Sequence, residues 1–198
     1  MRYVCVWLLA AVALVVNSVA GFASDVLRPD QKVFLFGGVM VEGTFPGWTN
    51  IPFAGGLENN YIVGGALDTK LASYGGFDFG VEVGTAGRFG DGASAEIWGG
   101  PSVHYRGFSI GSLTISPGLV FGLSAVTDAI GIERQREIDN SGNATLLFYF
   151  GPELAFRFKQ LPNVEFVFRT HHRSGAEGTL GNMREGANAN IFGVRFHF

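Results

Sequence analysis

The 198-residue chain has almost no cysteine and little charge. Its single Cys, Cys5, lies in the first few residues, so the remainder cannot be a disulfide scaffold. Charged residues make up 16% of the chain, 17 acidic against 14 basic, for a net charge of −3. A nucleic-acid binder would instead show a basic face. The four His have no metal-ligand spacing. Beyond the N-terminus no segment runs apolar long enough to read as a membrane helix. The longest uncharged stretch, 107–127, is broken by Ser109, Ser112, Thr114, Ser116, Pro117 and Ser124, and it alternates. What the chain has in quantity is hydrophobic residues (47%, which argues against disorder), 30 Gly and 19 Phe. Gly costs a helix interior about 1 kcal/mol and Phe favours strands, so the expectation is one all-β domain.

The N-terminus has the layout of an export signal. Arg2 precedes an apolar run, Tyr3 to Val16, and small residues follow over 17–24. This predicts a signal peptide over residues 1–23, cleaved after Ala20 or Ala23, with a retained membrane anchor as the alternative. Cys5 sits too early for a lipoprotein cleavage box. The remaining 24–198 form the second expected unit.

Period-2 patterns recur through that unit and predict strands near 32–43, 60–71, 76–88, 93–106, 112–126, 144–159, 163–174 and 188–198. In 144–159 one face carries Leu146, Phe148, Phe150, Leu154, Phe156 and Phe158, and the other Tyr149, Gly151, Glu153, Ala155, Arg157 and Lys159. In 76–88, Phe77, Phe79, Val81 and Val83 oppose Asp78, Gly80, Glu82 and Arg88. A large aromatic face opposite a face of Gly and mixed charge suits a lipid-facing wall around a narrow lumen. No amphipathic helix is evident to cover it. Connections near 72–75, 107–111 and 160–162 are short. Those near 44–59, 127–143 and 175–187 are long, while the one near 89–92 is short. The fold class expected is therefore an eight-stranded antiparallel transmembrane up-and-down β-barrel. Such a barrel is filled by side chains, which disfavours a pore. The ending Ile191–Phe198, with Phe192, Val194, Phe196 and Phe198 on one face, resembles the C-terminal assembly signal of bacterial outer-membrane barrels. Pro101, Pro117 and Pro152 fall inside strands beside Gly100, Gly118 and Gly151, which predicts bulges there.

The chemistry concentrates in the seventh strand. Glu165, Val167, Arg169, His171 and Arg173 share the charged, lumen-facing parity. Phe166, Phe168, Thr170, His172 and Ser174 share the outer one. Residues two apart on a strand lie about 7 Å apart at Cα. A His beside a Ser hydroxyl is the base and nucleophile pairing of acyl transfer. The bland alternative is an interfacial polar belt.

The segment Phe168-Arg-Thr-His-His-Arg-Ser-Gly-Ala176, with Asn182 in the next loop and the terminal Phe-Gly-Val-Arg-Phe-His-Phe, resembles the lipid A 3-O-deacylase (PagL) family. The resemblance covers about the last 35 residues. It implies a bacterial outer-membrane esterase with Ser174 as nucleophile, His172 as base, no cofactor, and lipid A of the lipopolysaccharide as substrate; a second copy of the chain is a further candidate partner. The chain departs from the family at two points. Gly175 stands where the family has an oxyanion-stabilising Asn, leaving backbone N–H groups or another donor to serve. The family's acid falls a dozen residues past the Ser, and Glu185 is one residue short of that. Glu185 and Asn188 both remain open as the group that orients His172; Glu177 is a poorer choice. Gly175, Asn182 and Asn188 are the substrate-binding candidates.

The other polar residues read as structural. His171 and His104 have lumen parity, Trp48 and Trp98 read as interface anchors or barrel filling, and Glu133-Arg-Gln-Arg-Glu137 reads as a solvated loop. The Arg pair of that loop could also meet lipopolysaccharide phosphates. Two rival functions are a non-catalytic barrel serving as a surface protein, and a soluble exported barrel that binds a small lipid.

Overall fold

A computed structural model describes residues 30–44 and 56–198. The expected signal peptide and Trp48 lie outside these residues. The alternating segments form eight long strands: β1 (Gln31–Val41), β2 (Leu57–Tyr74), β3 (Phe77–Gly90), β4 (Ala93–Tyr105), β6 (Leu113–Val126), β7 (Leu146–Phe158), β8 (Val164–Ser174) and β9 (Glu185–His197). A three-residue strand, β5 (Phe108–Ile110), pairs only with β6. Neighbours run antiparallel, and the pairings β1–β9 and β4–β6 close the sheet into a barrel. Closure leaves no open edge, the only way a sheet can stand in lipid with its backbone satisfied.

Period-2 alternation makes the wall two-faced. Every long strand shows large apolar side chains outward, among them Leu35, Tyr61, Val83, Ile97, Phe121, Leu154, Phe166 and Phe192. The inward face is charged and buried. Arg169 donates to Glu82 at 2.6 and 2.7 Å and to Glu153 at 2.7 and 2.9 Å. Arg195 donates to Glu153 at 2.7 Å, and His171 Nε2 lies 2.8 Å from Glu96. His104 lies 3.1 Å from Glu153. Trp98 is barrel filling: it is buried, donates to Glu82 at 3.0 Å and stacks on Tyr149. Gly84 makes this possible, because a Cβ there would enter the Trp98 ring. Phe34 and Phe36 also turn inward, and the Arg169 and Arg195 guanidiniums lie 4.9 and 5.3 Å from the Phe34 ring.

Two expectations need correction. The segment expected as a solvated loop, Glu133–Glu137, lies within a helix, α1 (Gly131–Asp139). It has no apolar stripe, so tertiary contacts hold it. Glu58 accepts from the Ile132 amide at 3.1 Å at the helix N-terminus. Glu133 is fully buried between Arg88, at 2.9 Å, and Arg173. The prolines do not make bulges either. The β4–β6 and β7–β8 ladders keep their registers across Pro101 and Pro152 and merely lose pairs there. Pro117 pairs with Leu154 on one side, and on its other side the β4–β6 ladder ends at Gly118. Each proline thus sits beside a gap in one ladder and keeps its place in the other. The register shifts fall elsewhere, between Val39 and Val41, Lys70 and Ala72, and His172 and Ser174.

Arg169 faces two carboxylates in a dry interior, so its removal leaves buried charge uncompensated. Arg169→Met is expected to lower barrel stability by about 3–5 kcal/mol in urea unfolding from detergent micelles.

Candidate functional site

β8 carries the site on its outer face. The inward residues Glu165, Val167, Arg169, His171 and Arg173 are all buried; Phe166 is exposed on the other parity. His172 shares that outer parity yet is only 5% exposed. Its register neighbours are Phe150 on β7 and Asn188 on β9.

The imidazole is oriented by an amide. His172 Nδ1 lies 2.6 Å from Asn188 Oδ1, and Asn188 Nδ2 donates to the Gly43 carbonyl at 2.7 Å. A carbonyl can only accept, so the Gly43 contact assigns which end of the Asn188 amide is nitrogen. The oxygen then faces His172. In the neutral ring Nδ1 must carry the proton, and Nε2 is left with the lone pair. That tautomer is the one a general base at Nε2 requires.

A β-bulge lies between His172 and Ser174. His172 pairs with Asn188 and Ser174 with Glu185, so Gly186 and Ala187 together oppose Arg173. Bulges re-aim side chains, and this one offsets Ser174 from the frame that holds His172. Ser174 Oγ donates to the Arg184 carbonyl at 2.8 Å and accepts from the Ala176 amide at 3.1 Å. The loop after it is tight. Ala176, Glu177 and Asn182 have φ of 49, 56 and 53°, and the Leu180 amide donates to the Gly175 carbonyl at 2.9 Å. Strained non-Gly backbone of this kind clusters at functional sites. Gly175 is obligatory, because a Cβ there would meet the Met183 carbonyl and lie 2.6 Å from the Leu180 carbonyl oxygen. The backbone at this position therefore leaves little room for a side chain.

The structure brings some of the candidate residues together and separates others. His172 and Asn188 are in direct contact. Glu185 stands opposite Ser174 on β9, while Asn188 takes the Nδ1 position at the histidine. Asn182 Nδ2 donates to the Asn140 carbonyl at 2.7 Å, tying the loop to the end of α1. Glu177 is solvent-exposed, 4.0 Å from Arg184. Among the described residues no group of three or more His, Cys, Asp or Glu side chains is placed to hold a metal. An outer groove of about 330 Å³ runs past the site, lined by Phe121, Phe148, Phe150, His172, Ser174 and Ala176. It is an apolar trough with one hydroxyl and one imidazole on its wall, which suits an ester carrying a long alkyl chain. Sequence reasoning missed the bulge and the Gly43 contact. The bulge lay out of reach because Gly186 falls in the segment expected as a connection, whereas β9 begins at Glu185.

No family model matches the chain, and no curated protein does. Solved structures do. The outer membrane enzyme PagL matches with a TM-score of 0.53 at 14% identity, over 84% of this chain and 99% of that one. Neisserial surface protein A matches with a TM-score of 0.54 at 11% identity, over 86% and 98%. A de novo designed transmembrane β-barrel matches with a TM-score of 0.50 at 14% identity, over 87% and 98%. At these identities the likeness is one of fold, and an enzyme and a surface protein share it equally. The chain is an eight-stranded barrel of the outer-membrane kind.

Gly175→Ala forces a methyl group against two carbonyls and is expected to cost about 1–3 kcal/mol. Chemical-shift changes confined to residues 175–184 in the folded barrel would show the strain directly.

Proposed function

We propose that the protein is an outer-membrane esterase that removes the 3-linked hydroxyacyl chain of lipid A. The observation that carries this reading is the His172 imidazole, its Nδ1 held against Asn188 Oδ1, two residues from a serine, on the outer wall beside an apolar trough. A substrate that is itself a membrane lipid can reach that wall laterally. The belt of exposed apolar side chains supports a position in lipid, and the end bearing α1 and the 175–184 loop would face outward.

In the reaction, the Ser174 hydroxyl leaves the Arg184 carbonyl, turns to His172 Nε2 and gives it its proton. Oγ attacks the ester carbonyl, and the C–O bond to the sugar breaks. The leaving sugar oxygen takes the proton from Nε2. Water, deprotonated by the same nitrogen, then attacks the acyl-serine carbonyl; the C–Oγ bond breaks, Oγ takes the proton back from Nε2, and the free hydroxy acid leaves. Asn188 keeps Nδ1–H in place throughout, with a neutral amide where a Ser-His-Asp triad has a carboxylate. A backbone N–H at the Gly175–Ala176 turn is a candidate oxyanion donor. The Ser174–Arg184 hydrogen bond is equally the resting bond of a non-catalytic surface barrel, which is the second reading.

Mass spectrometry of lipid A from expressing cells separates the two. The wild type is expected to remove one hydroxyacyl chain and Ser174→Ala to remove none; identical spectra would sink the esterase. His172→Ala should lower kcat by ~10²–10⁴-fold. Asn188→Ala should lower it more than Glu185→Gln, and the reverse order would return the orienting role to Glu185.

A further inference from the structure

Arg136 lies in the last turn of α1, outside the groove and away from Ser174 in sequence. Its guanidinium donates Nη1–H to the Gly186 carbonyl at 2.6 Å, and Nη2–H to the carbonyls of Glu42 at 2.9 Å and Gly43 at 3.2 Å. Gly186 belongs to the β9 bulge. Glu42 and Gly43 continue the chain just past β1. The β1–β9 ladder ends at the pair Val41–Asn188, so these carbonyls lie where backbone pairing between the two strands has stopped. The planar fork of an arginine can bridge three carbonyls on two segments; a lysine ammonium cannot match that geometry.

The Gly43 carbonyl is shared. It accepts from Arg136 and from Asn188 Nδ2, and the same Asn188 amide holds His172 Nδ1 at 2.6 Å. Moving Gly43 removes the contact that sets which end of the Asn188 amide faces the ring. The Arg136 backbone is tied into the helix end. Its carbonyl accepts from the Asn140 amide at 3.0 Å and from Asn140 Nδ2 at 2.7 Å. The Asn140 carbonyl accepts from Asn182, and Glu133 anchors the helix to Arg88 and Arg173. One short helix thus meets the site from both sides, through Arg136 towards the histidine and through Asn140 towards the serine loop.

We infer that Arg136 is a positioning residue: by clamping the end of β1 to the β9 bulge it fixes the Asn188 amide and thereby the Nδ1–H tautomer of His172. Its effect on rate rests on the esterase reading, whereas its effect on the tautomer does not. The residue touches no reacting atom, and its hydrogen-bond path to the ring runs through Gly43 and Asn188.

The test uses the full chain refolded in detergent micelles with ¹⁵N-labelled histidine, at a pH where the imidazoles are neutral. Heat-modifiable electrophoretic mobility checks the fold, and a His172→Gln sample assigns the signal. The wild type is expected to show His172 as the single Nδ1–H tautomer. Arg136→Gln and Arg136→Lys should both move it to a mixture or to Nε2–H; Arg134→Gln, on the same helix, should leave it unchanged. With lipid A as substrate, Arg136→Gln should lower kcat by up to about 10²-fold, with KM little altered. An unchanged tautomer in either folded Arg136 variant would overturn the inference, whatever the activity. A shifted tautomer together with an inactive wild type would overturn the esterase and leave the positioning role standing.

Discussion

Everything in this molecule follows from the requirement that a sheet in lipid leave no backbone group unpaired. The β1–β9 and β4–β6 ladders meet that requirement by closing the wall on itself. Once the wall is closed, side-chain alternation has only two destinations. Apolar residues go outward and charged residues go into a lumen largely filled by side chains. His172 and Ser174, on the outer parity of β8, then stand on the outer wall rather than in the lumen. The places where the ladder rule is relaxed are informative. The gaps beside Pro101 and Pro152 are passive consequences of a missing N–H. The bulge beside Ser174 is accompanied by a clamp, a strained loop and an oriented amide.

The interior charges decide how rigid this frame is. Unpaired, a buried carboxylate or guanidinium would cost several kcal/mol, and the network offsets that cost by pairing. Arg169 serves Glu82 and Glu153, Arg195 serves Glu153 and Glu165, and Glu133 comes down from α1 to Arg88 and Arg173. The last of these contacts connects the lumen to the outer site. It seats a helix that the sequence offers little reason to expect, and the seated helix delivers Arg136 to the β1–β9 seam.

How much of this was legible from residues alone depended on the range of the interaction. The eight strands and their facing were readable because a two-residue period is local. The parity of β8 separated His171 and Arg173 from His172 and Ser174, and the buried and outward positions agree with it. Asn188 could be named as a partner for His172 because it shares the outer parity of β9. The helix could not be read: its charges lie on all sides, and its anchors, Glu58, Arg88 and Arg173, come from three distant strands. Arg136 was hidden in the same run, indistinguishable in sequence from Arg134, which makes only surface pairs with Asp128 and Glu137. The bulges expected at proline failed because proline removes one donor from one ladder and need not add a residue to the strand.

The central claim is that Ser174 is a nucleophile activated by His172 on the outer wall. Reaction of the detergent-solubilised protein with a long-chain serine-directed phosphonate, followed by peptide mass mapping, tests it most directly. A covalent adduct on Ser174 in the wild type, lost in His172→Ala while the barrel stays folded, is the expected result. An unlabelled Ser174, or labelling indifferent to His172, would contradict it.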